Sequence, residues 1–427
     1  MLEVNKIIEN IDSFTKGLEK RGLPNGAALL DQVIRLDDSR KDLKKKLDET
    51  LAQANEKSRA IGKLMQNGKK EEAEEAKAAT ADLKAKSKSL NDEFAHIEQE
   101  LKEALYNIPN IPNDLVPGGS SEKDNEIVKT ADSTIPSLGE DAYPHWDLIE
   151  QYDLVDFKLG NKVTGAGFPF YKKQGARLSR ALVNFFLDEA LAAGYEEVQP
   201  PVLINQDSGY GTGQLPDKEG QMYGIVDSQL FLIPTAEVPI TNIYRDEILK
   251  EETLPIKHVG YTPCFRREAG SWGAHVRGLN RLHQFDKVEI VQITRPEDSY
   301  ETLEQMVSHV EKLIQSLNLP YRLLRLCAGD LGFTSAITYD FEVFSAAQKK
   351  WLEVSSVSNF ETYQTNRLKM RLKKNDGKKV LAHSLNGSAL ALPRIIAALL
   401  ENNQTPTGID LPEVLHPYLG FSRIPKP

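Results

Sequence analysis

The sequence predicts an α+β protein with an antiparallel two-helix coiled-coil arm near its N-terminus. Residues 27–105 contain no proline and only Gly62 and Gly68, and they are rich in Ala, Lys, Glu and Leu, which is helical composition. The remainder mixes short β-rich runs with amphipathic helices in no regular βαβ order, which indicates an α+β domain. The predicted regions are 1–108, which contains the arm, a linker over 109–145, and a second domain over 146–427.

The composition is that of a folded protein. The 427 residues include 53 Lys and Arg against 62 Asp and Glu, for a net charge of −9, and 40% are hydrophobic. The two cysteines, Cys264 and Cys327, suit a reducing compartment. The sequence shows neither a signal-peptide pattern at Met1 nor an apolar run of about 18 residues. We therefore expect a cytoplasmic protein with no membrane partner.

The arm is predicted from one periodic seam. In its second half, small or apolar residues alternate spacings of three and four for more than four heptads. These positions are Ala73, Ala76, Thr80, Leu83, Ser87, Leu90, Phe94, Ile97, Leu101 and Ala104. A less regular apolar stripe precedes them, and Asn67-Gly68 between the two halves is a turn signal. Two long helices should therefore fold back on each other.

The charge of the arm is uneven. Residues 31–105 carry 16 basic and 17 acidic side chains, so the arm as a whole is nearly neutral. Its tip has five basic residues and no acidic one, namely Lys57, Arg59, Lys63, Lys69 and Lys70. Such a cluster suits contact with a nucleic-acid phosphate backbone. A solvated hairpin that contacts another protein explains the arm equally well at this point.

The second domain is predicted element by element from its periodicity. The expected helices lie over 173–193, 299–317 and near 389–402. The expected strands lie over 196–199, 229–233, 287–293 and 350–357.

Common nucleotide and metal signatures are missing from the sequence. There is no P-loop, no HExxH and no CxxC, and the eight histidines are scattered. If the protein handles phosphates, arginine side chains and a carboxylate-bound Mg²⁺ must hold them. No zinc is expected.

One segment has the residues for that chemistry. It reads FRREAGS at 265–271, continues through Arg277 and Arg281, and ends with HQFDKVE at 283–289. This is typical of strand, loop and strand, with alternation placing Arg266 and Glu268 on one face. A guanidinium there can grip a phosphate or carboxylate through two bonds, and the carboxylate can accept from an amine. For a single Arg-x-Glu triplet, a surface hairpin with salt bridges is the alternative.

These runs resemble the motifs of class II aminoacyl-tRNA synthetases. Residues 265–289 are similar to motif 2, 194–201 to motif 1, and 387–394 to motif 3. Thr235-Ala236-Glu237, the run over 353–359 and the helical arm narrow the resemblance to the seryl-tRNA synthetase family of bacterial type. It covers essentially the whole chain, in the family's order. It implies that 146–427 is a class II catalytic domain, an antiparallel β-sheet flanked by helices.

The resemblance also implies an activity and its partners. The expected enzyme is a serine–tRNA ligase that joins L-serine to ATP, releases pyrophosphate, and passes the seryl group to the 3′ end of tRNA(Ser). Mg²⁺ would accompany ATP, and a homodimer would form through motif 1. The arm would grasp the tRNA by backbone shape through its basic tip. Whether a selenocysteine tRNA, tRNA(Sec), is also charged stays open.

The family's ATP-binding positions map onto this chain residue by residue. By resemblance, Arg266 bridges the serine carboxylate and the α-phosphate, and Arg394 holds the γ-phosphate, so these two are the expected catalytic residues. Glu268 accepts from the adenine amino group and Phe285 stacks on the base. The full ATP set is Arg266, Arg267, Glu268, Phe285, Glu353, Val354, Ser355, Ser356 and Arg394.

The metal and serine sites follow from the same resemblance. Glu353 and Ser356 would ligate Mg²⁺ through oxygen, as a hard cation requires. The expected serine-binding set is Thr235, Ala236, Glu237, Arg266, Glu289, Asn386 and Ser388. We expect this site to reject alanine through unmet hydrogen bonds and threonine through steric closure.

Several residues near the motifs have an ordinary structural explanation. Cys264 is expected to be a small buried hydrophobe. His283 either touches the nucleotide or makes a structural hydrogen bond. Asp340 and Glu342 alternate on a strand beside the site and serve either the site or structural support. Trp272 serves either the tRNA acceptor end or loop packing. Pro393 stands where the family pattern leads us to expect glycine, although proline is tolerated in a first helical turn.

Other classes of protein explain less of the sequence. A non-catalytic paralogue that binds RNA or a protein should have lost the ATP ligands, yet Arg266, Glu268, Glu353 and Arg394 are present. An amino-acid:carrier-protein ligase on the same fold would lack the arm. A coiled-coil scaffold would explain 27–105 and nothing after it.

Overall fold

The computed structural model of the protein describes residues 1–131, 135–139, 142–268 and 277–427. The chain divides into two compact units, Met1–Glu19 with Leu23–Pro109, and Lys20–Gly22 with Asn110–Pro427. In the ranges just given, no helix combines the length and the apolar character needed to cross a membrane. The linker over 109–145 stays a prediction.

The N-terminal part of the chain is helical, as its composition predicts. The helices are α1 (Val4–Glu9), α2 (Ile11–Lys20), α3 (Gly26–Gln66) and α4 (Lys70–Tyr106). Helices α3 and α4 pack against each other along their length, which confirms the predicted two-helix arm. Gly68 lies in the turn between them with φ of +74°, a left-handed conformation that glycine adopts without steric cost.

The packing of α4 follows the predicted seam. Each of the ten seam positions is buried or half-buried, whereas the charged residues of α4 are exposed. The seam also holds a buried hydroxyl, and Thr80 Oγ1 donates to the Ala76 carbonyl at 2.7 Å. The three-four spacing alone therefore located the face of the helix that packs.

The second unit combines a large sheet with helices. Its α-helices are α5 (His145–Gln151), α6 (Phe157–Val163), α7 (Lys173–Ala192), α8 (Gln206–Thr212), α9 (Glu237–Thr241), α10 (Ser299–Ser316), α11 (Tyr363–Arg367), α12 (Leu392–Asn402) and α13 (His416–Leu419). Its strands are β1 (Glu126–Thr130), β2 (Val155–Asp156), β3 (Phe170–Tyr171), β4 (Glu196–Glu197), β5 (Leu203–Asn205), β6 (Leu230–Leu232), β7 (Ile248–Lys250), β8 (Ile256–Phe265), β9 (Gln284–Thr294), β10 (Tyr321–Arg325), β11 (Ile337–Ser345), β12 (Lys350–Glu361), β13 (Arg371–Lys373), β14 (Lys379–Leu381), β15 (His383–Ala391), β16 (Gln404–Thr405), β17 (Gly408–Asp410) and β18 (Arg423–Pro425).

Eight of these strands form one sheet in the order β1-β10-β11-β12-β15-β9-β8-β4. All pairs are antiparallel except β4 with β8 at one end. Helices α7, α10 and α12 pack on this sheet. The predicted α+β domain with an antiparallel sheet flanked by helices is thereby confirmed.

The two faces of the central strands differ in polarity. On β9, Val288 and Ile290 belong to the hydrophobic core, while Phe285, Lys287 and Glu289 line a cavity. Successive side chains of a strand point to opposite faces, so this alternation gives the sheet one packed face and one polar face. The register of the ladder then places Ser388 opposite Glu289, Asn386 opposite Ser358, and Asp340 opposite Ser356.

Two details of the predicted elements are wrong. The closing helix begins at Leu392 rather than near residue 389, because β15 continues to Ala391 and Pro393 occupies the first helical turn. Strand β8 ends at Phe265, so strand alternation does not place Arg266 and Glu268 on one face. Glu268 instead has a positive φ of 46°, a loop conformation.

Candidate active site

The polar face of the sheet lines a cavity of about 630 Å³. Its lining includes most of the predicted site residues, namely Thr235, Glu237, Arg266, Glu268, Phe285, Glu289, Glu353, Val354, Ser355, Ser356, Asn386, Ser388 and Arg394. Two predicted residues are not among the lining residues. Ala236 is completely buried, and Arg267 is exposed, with its backbone N–H donating to the Gln221 carbonyl at 2.9 Å.

Arg266 directly follows β8 and is held by three contacts. Its backbone N–H donates to the His283 carbonyl at 3.0 Å, and its Nε donates to the Pro234 carbonyl at 3.4 Å. The guanidinium carbon lies 5.3 Å from the centre of the Phe285 ring. These contacts direct the Arg266 guanidinium into the cavity, next to the face of the Phe285 ring. A nucleotide would suit this arrangement, because its phosphates can pair with the guanidinium and its base can stack on the ring.

Glu268 lies in the cavity wall close to a second arginine. Its Oε2 accepts a hydrogen bond from Arg281 Nη1 at 2.8 Å. Residues 269–276 of the predicted motif 2, which include Trp272, lie outside the described residues. Just before this segment, Arg266 and Glu268 line the cavity, whereas Arg267 is exposed.

His283 is held by its neighbours. Its Nδ1 lies 2.6 Å from the Tyr223 hydroxyl, and its ring stacks on Phe168 at 5.4 Å. A Cβ on Gly167 would lie 2.3 Å from this ring, which explains glycine at that position. These contacts favour the structural alternative for His283.

Glu289 is the centre of a buried polar cluster. It is fully buried and lies 2.5 Å from Lys287 Nζ, and its other oxygen accepts from Asn386 Nδ2 at 2.7 Å. Ser388 Oγ lies 3.5 Å from Glu289, and Lys287 Nζ also donates to Thr235 Oγ1 at 2.9 Å. Burying a carboxylate costs free energy, and the ammonium group and the hydrogen-bond donors around Glu289 offset that cost. The cluster offers charged and hydroxyl partners to a small zwitterion.

Glu237 adds a second buried carboxylate at this end of the cavity. Its Oε1 accepts from Gln364 Nε2 at 2.6 Å, and Gln364 in turn accepts from the Ser384 hydroxyl at 2.8 Å. Burial, followed by the nearby charge of Glu289, raises the pKa of Glu237 to about 7. An ammonium group placed beside this carboxyl would stabilise its ionised form.

Arg394 lies in the first turn of α12 and lines the same cavity as Arg266 and Glu289. Its Nε donates to the Asn280 carbonyl at 3.1 Å, and its Nη1 donates to the Glu353 carbonyl at 2.6 Å. The Glu353 carboxylate is 3.6 Å from the same Nη1. Pro393 occupies the first helical turn, and Arg394 still lines the cavity.

The oxygen donors near Arg394 fit a divalent cation. Glu353 and Ser356 line the cavity, and Asp340 lies beside them with Oδ1 lacking a hydrogen-bond partner within the described residues. Burial, and then the charge of Glu353, raises the pKa of Asp340 well above its ordinary value. The described ranges hold no cluster of three or more His, Cys, Asp or Glu arranged to hold a metal. Mg²⁺ typically takes one or two protein carboxylates together with water and substrate phosphates, so this donor set suits it.

Sequence reasoning missed several of these residues. Lys287 could have been found, because it alternates with Phe285 and Glu289 along β9. Gln364 and Asn280 offer no local signal, since their roles depend on partners far away in the chain.

The predicted tRNA-binding residues lie on the first unit. Lys57, Arg59, Lys63, Lys69 and Lys70 are all exposed around the turn between α3 and α4. Lys69 pairs with Glu72 at 2.8 Å. The tip therefore presents basic side chains to solvent.

The fold and the cavity define a class of protein. An antiparallel sheet with one arginine after β8 and another at the start of the helix after β15 is the catalytic core of a class II aminoacyl-tRNA synthetase. The model of the tRNA synthetase class II core domain (G, H, P, S and T) matches residues 225–403. The model of the seryl-tRNA synthetase N-terminal domain matches residues 1–112.

Similar proteins narrow the class to one family. A serine–tRNA ligase from Salinibacter ruber is 48% identical, with 99% of each chain covered, and one from Exiguobacterium sibiricum is 44% identical, with 98% of each covered. The crystal structure of seryl-tRNA synthetase from Pyrococcus horikoshii, complexed with ATP, matches with a TM-score of 0.91 at 32% identity over 100% of both chains. The chain belongs to the seryl-tRNA synthetase family. The family and the serine–tRNA ligase activity predicted from the motifs are confirmed.

Proposed function

We propose that this chain activates L-serine with ATP in the cavity of the second unit and then transfers serine to tRNA(Ser). The observation that carries the proposal is the meeting of Arg266, Glu289 and Arg394 around one cavity of about 630 Å³. Family membership supports the reaction, and the position of these three residues around one cavity supports the roles proposed for them.

ATP lies along the arginine side of the cavity. Phe285 stacks on adenine, Glu268 accepts from the adenine amino group, and Arg394 binds the γ-phosphate. Val354 and Ser355 line the wall next to the phosphates, and Arg267 contributes from the rim.

Serine lies at the Glu289 end. Its ammonium group is bound by Glu289 and Glu237, with Thr235 nearby, and its hydroxyl by Asn386 and Ser388. Ala236 contributes only through its backbone, because its side chain is buried. Since Lys287 holds Glu289 and Thr235 before serine arrives, the incoming ammonium shares these acceptors with it.

The chemistry is an in-line displacement. A serine carboxylate oxygen attacks the α-phosphorus, a P–O bond forms, and the bond to pyrophosphate breaks. Arg266 neutralises the charge that develops between the two substrates, and the cavity holds them in line. No protein nucleophile takes part. Cys264, which lies two residues before Arg266, is completely buried, and burial raises its pKa, so it stays a neutral thiol.

We propose that Glu353 and Ser356 would hold Mg²⁺ through oxygen. The ion would supply positive charge that neutralises the phosphates of ATP. The all-oxygen donor set supports this assignment, as does Asp340 Oδ1, which has no hydrogen-bond partner among the residues that the structure describes.

We also propose a homodimer and tRNA(Ser) as partners, from family membership and the positions of the residues. Motif 1 includes β4, the terminal strand of the large sheet, and both residues of β4 are exposed, which suits a homodimer interface. The basic tip of the arm binds the backbone of tRNA(Ser), and charging of tRNA(Sec) stays an open possibility. A cytoplasmic location follows from this role in translation.

Exchange of labelled pyrophosphate into ATP tests the proposal. It should depend on serine among the twenty amino acids, with alanine and threonine at least about 100-fold less active. Arg266→Ala should lower exchange by about 100-fold or more, because it removes a charge that acts in the transition state. Arg295→Ala, at a half-exposed arginine paired with Asp298, is the matched control.

Two results would contradict the proposal. Exchange with a different amino acid would mean that the Glu289 cluster recognises another substrate. No exchange at all from folded protein with Mg²⁺ would favour a non-catalytic RNA-binding member of the family.

A further inference from the structure

A buried, hydrogen-bonded histidine–glutamate pair lies next to the cavity, among residues that the proposed mechanism does not use. His145 and Glu401 are both fully buried, and His145 Nδ1 lies 2.7 Å from Glu401 Oε1. The same oxygen accepts the His145 backbone N–H at 2.9 Å, and the Ser345 hydroxyl donates to Glu401 Oε2. Burial alone would raise the pKa of Glu401, but the hydrogen bonds from His145 and Ser345 outweigh it and lower that pKa.

The other side of the His145 ring holds the segment 278–280. The Leu279 backbone N–H donates to His145 Nε2 at 2.9 Å. The ring therefore accepts at Nε2 and donates at Nδ1 to Glu401, which fixes one neutral tautomer. A Cβ on Gly278 would lie 2.3 Å from Nε2, and Gly278 has φ of +68°, so only glycine allows this close approach.

Gln348 makes a second connection to the same segment. Its Nε2 donates to Glu401 Oε1 at 2.7 Å, and its Oε1 accepts from Asn280 Nδ2 at 3.1 Å. Asn280 is therefore held by its side chain, while its carbonyl accepts from Arg394 Nε at 3.1 Å. The chain of contacts begins at the buried His145–Glu401 hydrogen bond and ends on Arg394, an arginine of the cavity.

Helix α12 carries both ends of this chain of contacts. Arg394 is in its first turn and Glu401 in its last, seven positions apart, which is about two turns or 10.5 Å along one face. The segment 278–280 therefore contacts this helix directly at Arg394 and is connected to Glu401 through His145 and Gln348. A buried pair needed only for core stability has no reason to extend to the backbone that holds a phosphate-binding arginine.

We propose that His145, Glu401 and Gln348 are positioning residues for ATP. They fix the Asn280 carbonyl, and this carbonyl together with that of Glu353 aims the Arg394 guanidinium at the triphosphate end of the cavity. The inference rests on the proposed role of Arg394 in binding the γ-phosphate.

A positioning role predicts a selective effect on nucleotide binding that general support of the fold would not produce. Because Arg394 contacts the γ-phosphate, loosening the network weakens binding of ATP but not of AMP, which lacks that phosphate. The loss also disappears when Arg394 is already absent, since residues that act through one another are not additive.

Gln348→Met is the first variant to test, because Gln348 is only half-buried and the change keeps its length. Calorimetric titration with ATP and Mg²⁺ should show affinity about tenfold weaker, as expected for two lost hydrogen bonds. Affinity for AMP and the KM for serine should stay within about twofold. Gln305→Met, on the exposed face of α10, is the matched control and should change none of these values.

Two further variants complete the test. Glu401→Gln keeps an acceptor oxygen for Gln348 and His145. This variant should therefore also lose affinity for ATP and not for AMP, but the loss should be smaller than in Gln348→Met. The double variant Gln348→Met with Arg394→Ala should bind ATP as weakly as Arg394→Ala alone. Thermal melting of every variant shows that it is folded.

The possible negative results distinguish the positioning role of His145, Glu401 and Gln348 from the proposed role of Arg394. Equal losses for ATP and AMP, or a loss that persists in full beside Arg394→Ala, would overturn the positioning role. Unchanged ATP binding in Gln348→Met, with a clear loss in Arg394→Ala, would overturn the inference alone. Unchanged ATP binding in Arg394→Ala would overturn the proposed role of Arg394, and the inference with it.

Discussion

The arm and the cavity use charged residues in opposite ways. On α4, Lys77 pairs with Glu74 at 2.5 Å, but both side chains are largely exposed, at 46% and 71%. In the cavity, Lys287 pairs with Glu289 at the same distance, with exposures of 6% and 0%. Water screens the first pair and not the second, so the same contact has little energetic effect in the arm and a large one in the cavity.

The two regions also differ in where their partners lie in the sequence. The helices of the arm follow each other directly, and their packing repeats one spacing rule. In the cavity, Glu289 meets Asn386, which is 97 residues away, and Glu237 meets Gln364, which is 127 residues away. The arm should therefore tolerate substitution at most positions, while the cavity should not.

Removing the arm should produce the largest effect and is the strongest test of the contrast between the arm and the cavity. Deletion of 36–100 should leave serine-dependent pyrophosphate exchange within about threefold of the wild type, because the lining residues of the cavity all belong to the second unit. Aminoacylation of tRNA(Ser) should be abolished, since shape recognition of the tRNA is lost.

Both activities are measured on the same preparation, so exchange serves as the control for folding. Normal charging by the shortened protein would mean that the arm does not bind the tRNA. Loss of both activities would mean that the catalytic unit depends on the arm for its structure.

The next largest effect belongs to Glu237 in the cavity. Its pKa is about 7 in the folded protein and 4.5 ordinarily, so the folded state binds the proton more tightly. The stabilisation is full below about pH 4.5 and is lost as the pH rises through 7, a change of about 3 kcal/mol in the free energy of unfolding. Glu237→Gln should remove this pH dependence, as measured by urea unfolding between about pH 4 and pH 8.

Serine provides a second measurement on the same residue. Wild-type affinity for serine should rise through about pH 7, because an ammonium group favours the ionised carboxyl, and the rise should be absent in Glu237→Gln. Glu304→Gln, at an exposed glutamate of α10, is the control and should match the wild type. Parallel curves for wild type and Glu237→Gln would show that this carboxyl is ionised throughout the range.

The sequence predicted the two regions unequally well, for physical reasons. The seam from Ala73 to Ala104 identified the packing face of α4, because the packing of two long neighbouring helices follows a local repeat of apolar positions. In the cavity, motif resemblance located Arg266, Glu289 and Arg394, but strand alternation wrongly extended β8 past Phe265. The sequence did not predict the link from His145 to Asn280, since it depends on tertiary contacts between residues 53 to 256 positions apart.

A smaller effect is expected at the tip of the arm. Replacing Lys57, Arg59 and Lys63 with glutamine should raise the KM for tRNA by about tenfold and reduce its dependence on salt, because fewer counterions are released on binding. Aminoacylation at about 50 mM and about 200 mM salt measures both changes. Exchange of pyrophosphate should be unaffected.

A matched change on the shaft of the arm is the control for the tip. Lys84, Lys86 and Lys88 are exposed on α4, and replacing them with glutamine removes the same charge. Their replacement should change the KM for tRNA by less than about threefold. Equal effects at the tip and the shaft would mean that overall charge, and not the position of the tip, attracts the tRNA.

The smallest effect is predicted for the exposed pair Lys77–Glu74. Lys77→Ala should change the free energy of unfolding by less than about 0.5 kcal/mol, because the pair is screened by water and alanine is a good helix former. Lys287→Ala is the contrasting change, since it leaves Glu289 buried without its cation, and it should cost several kcal/mol. Chemical unfolding of both variants measures the difference. Similar losses at the two positions would mean that burial does not determine what these ion pairs contribute, and the contrast between arm and cavity would fail.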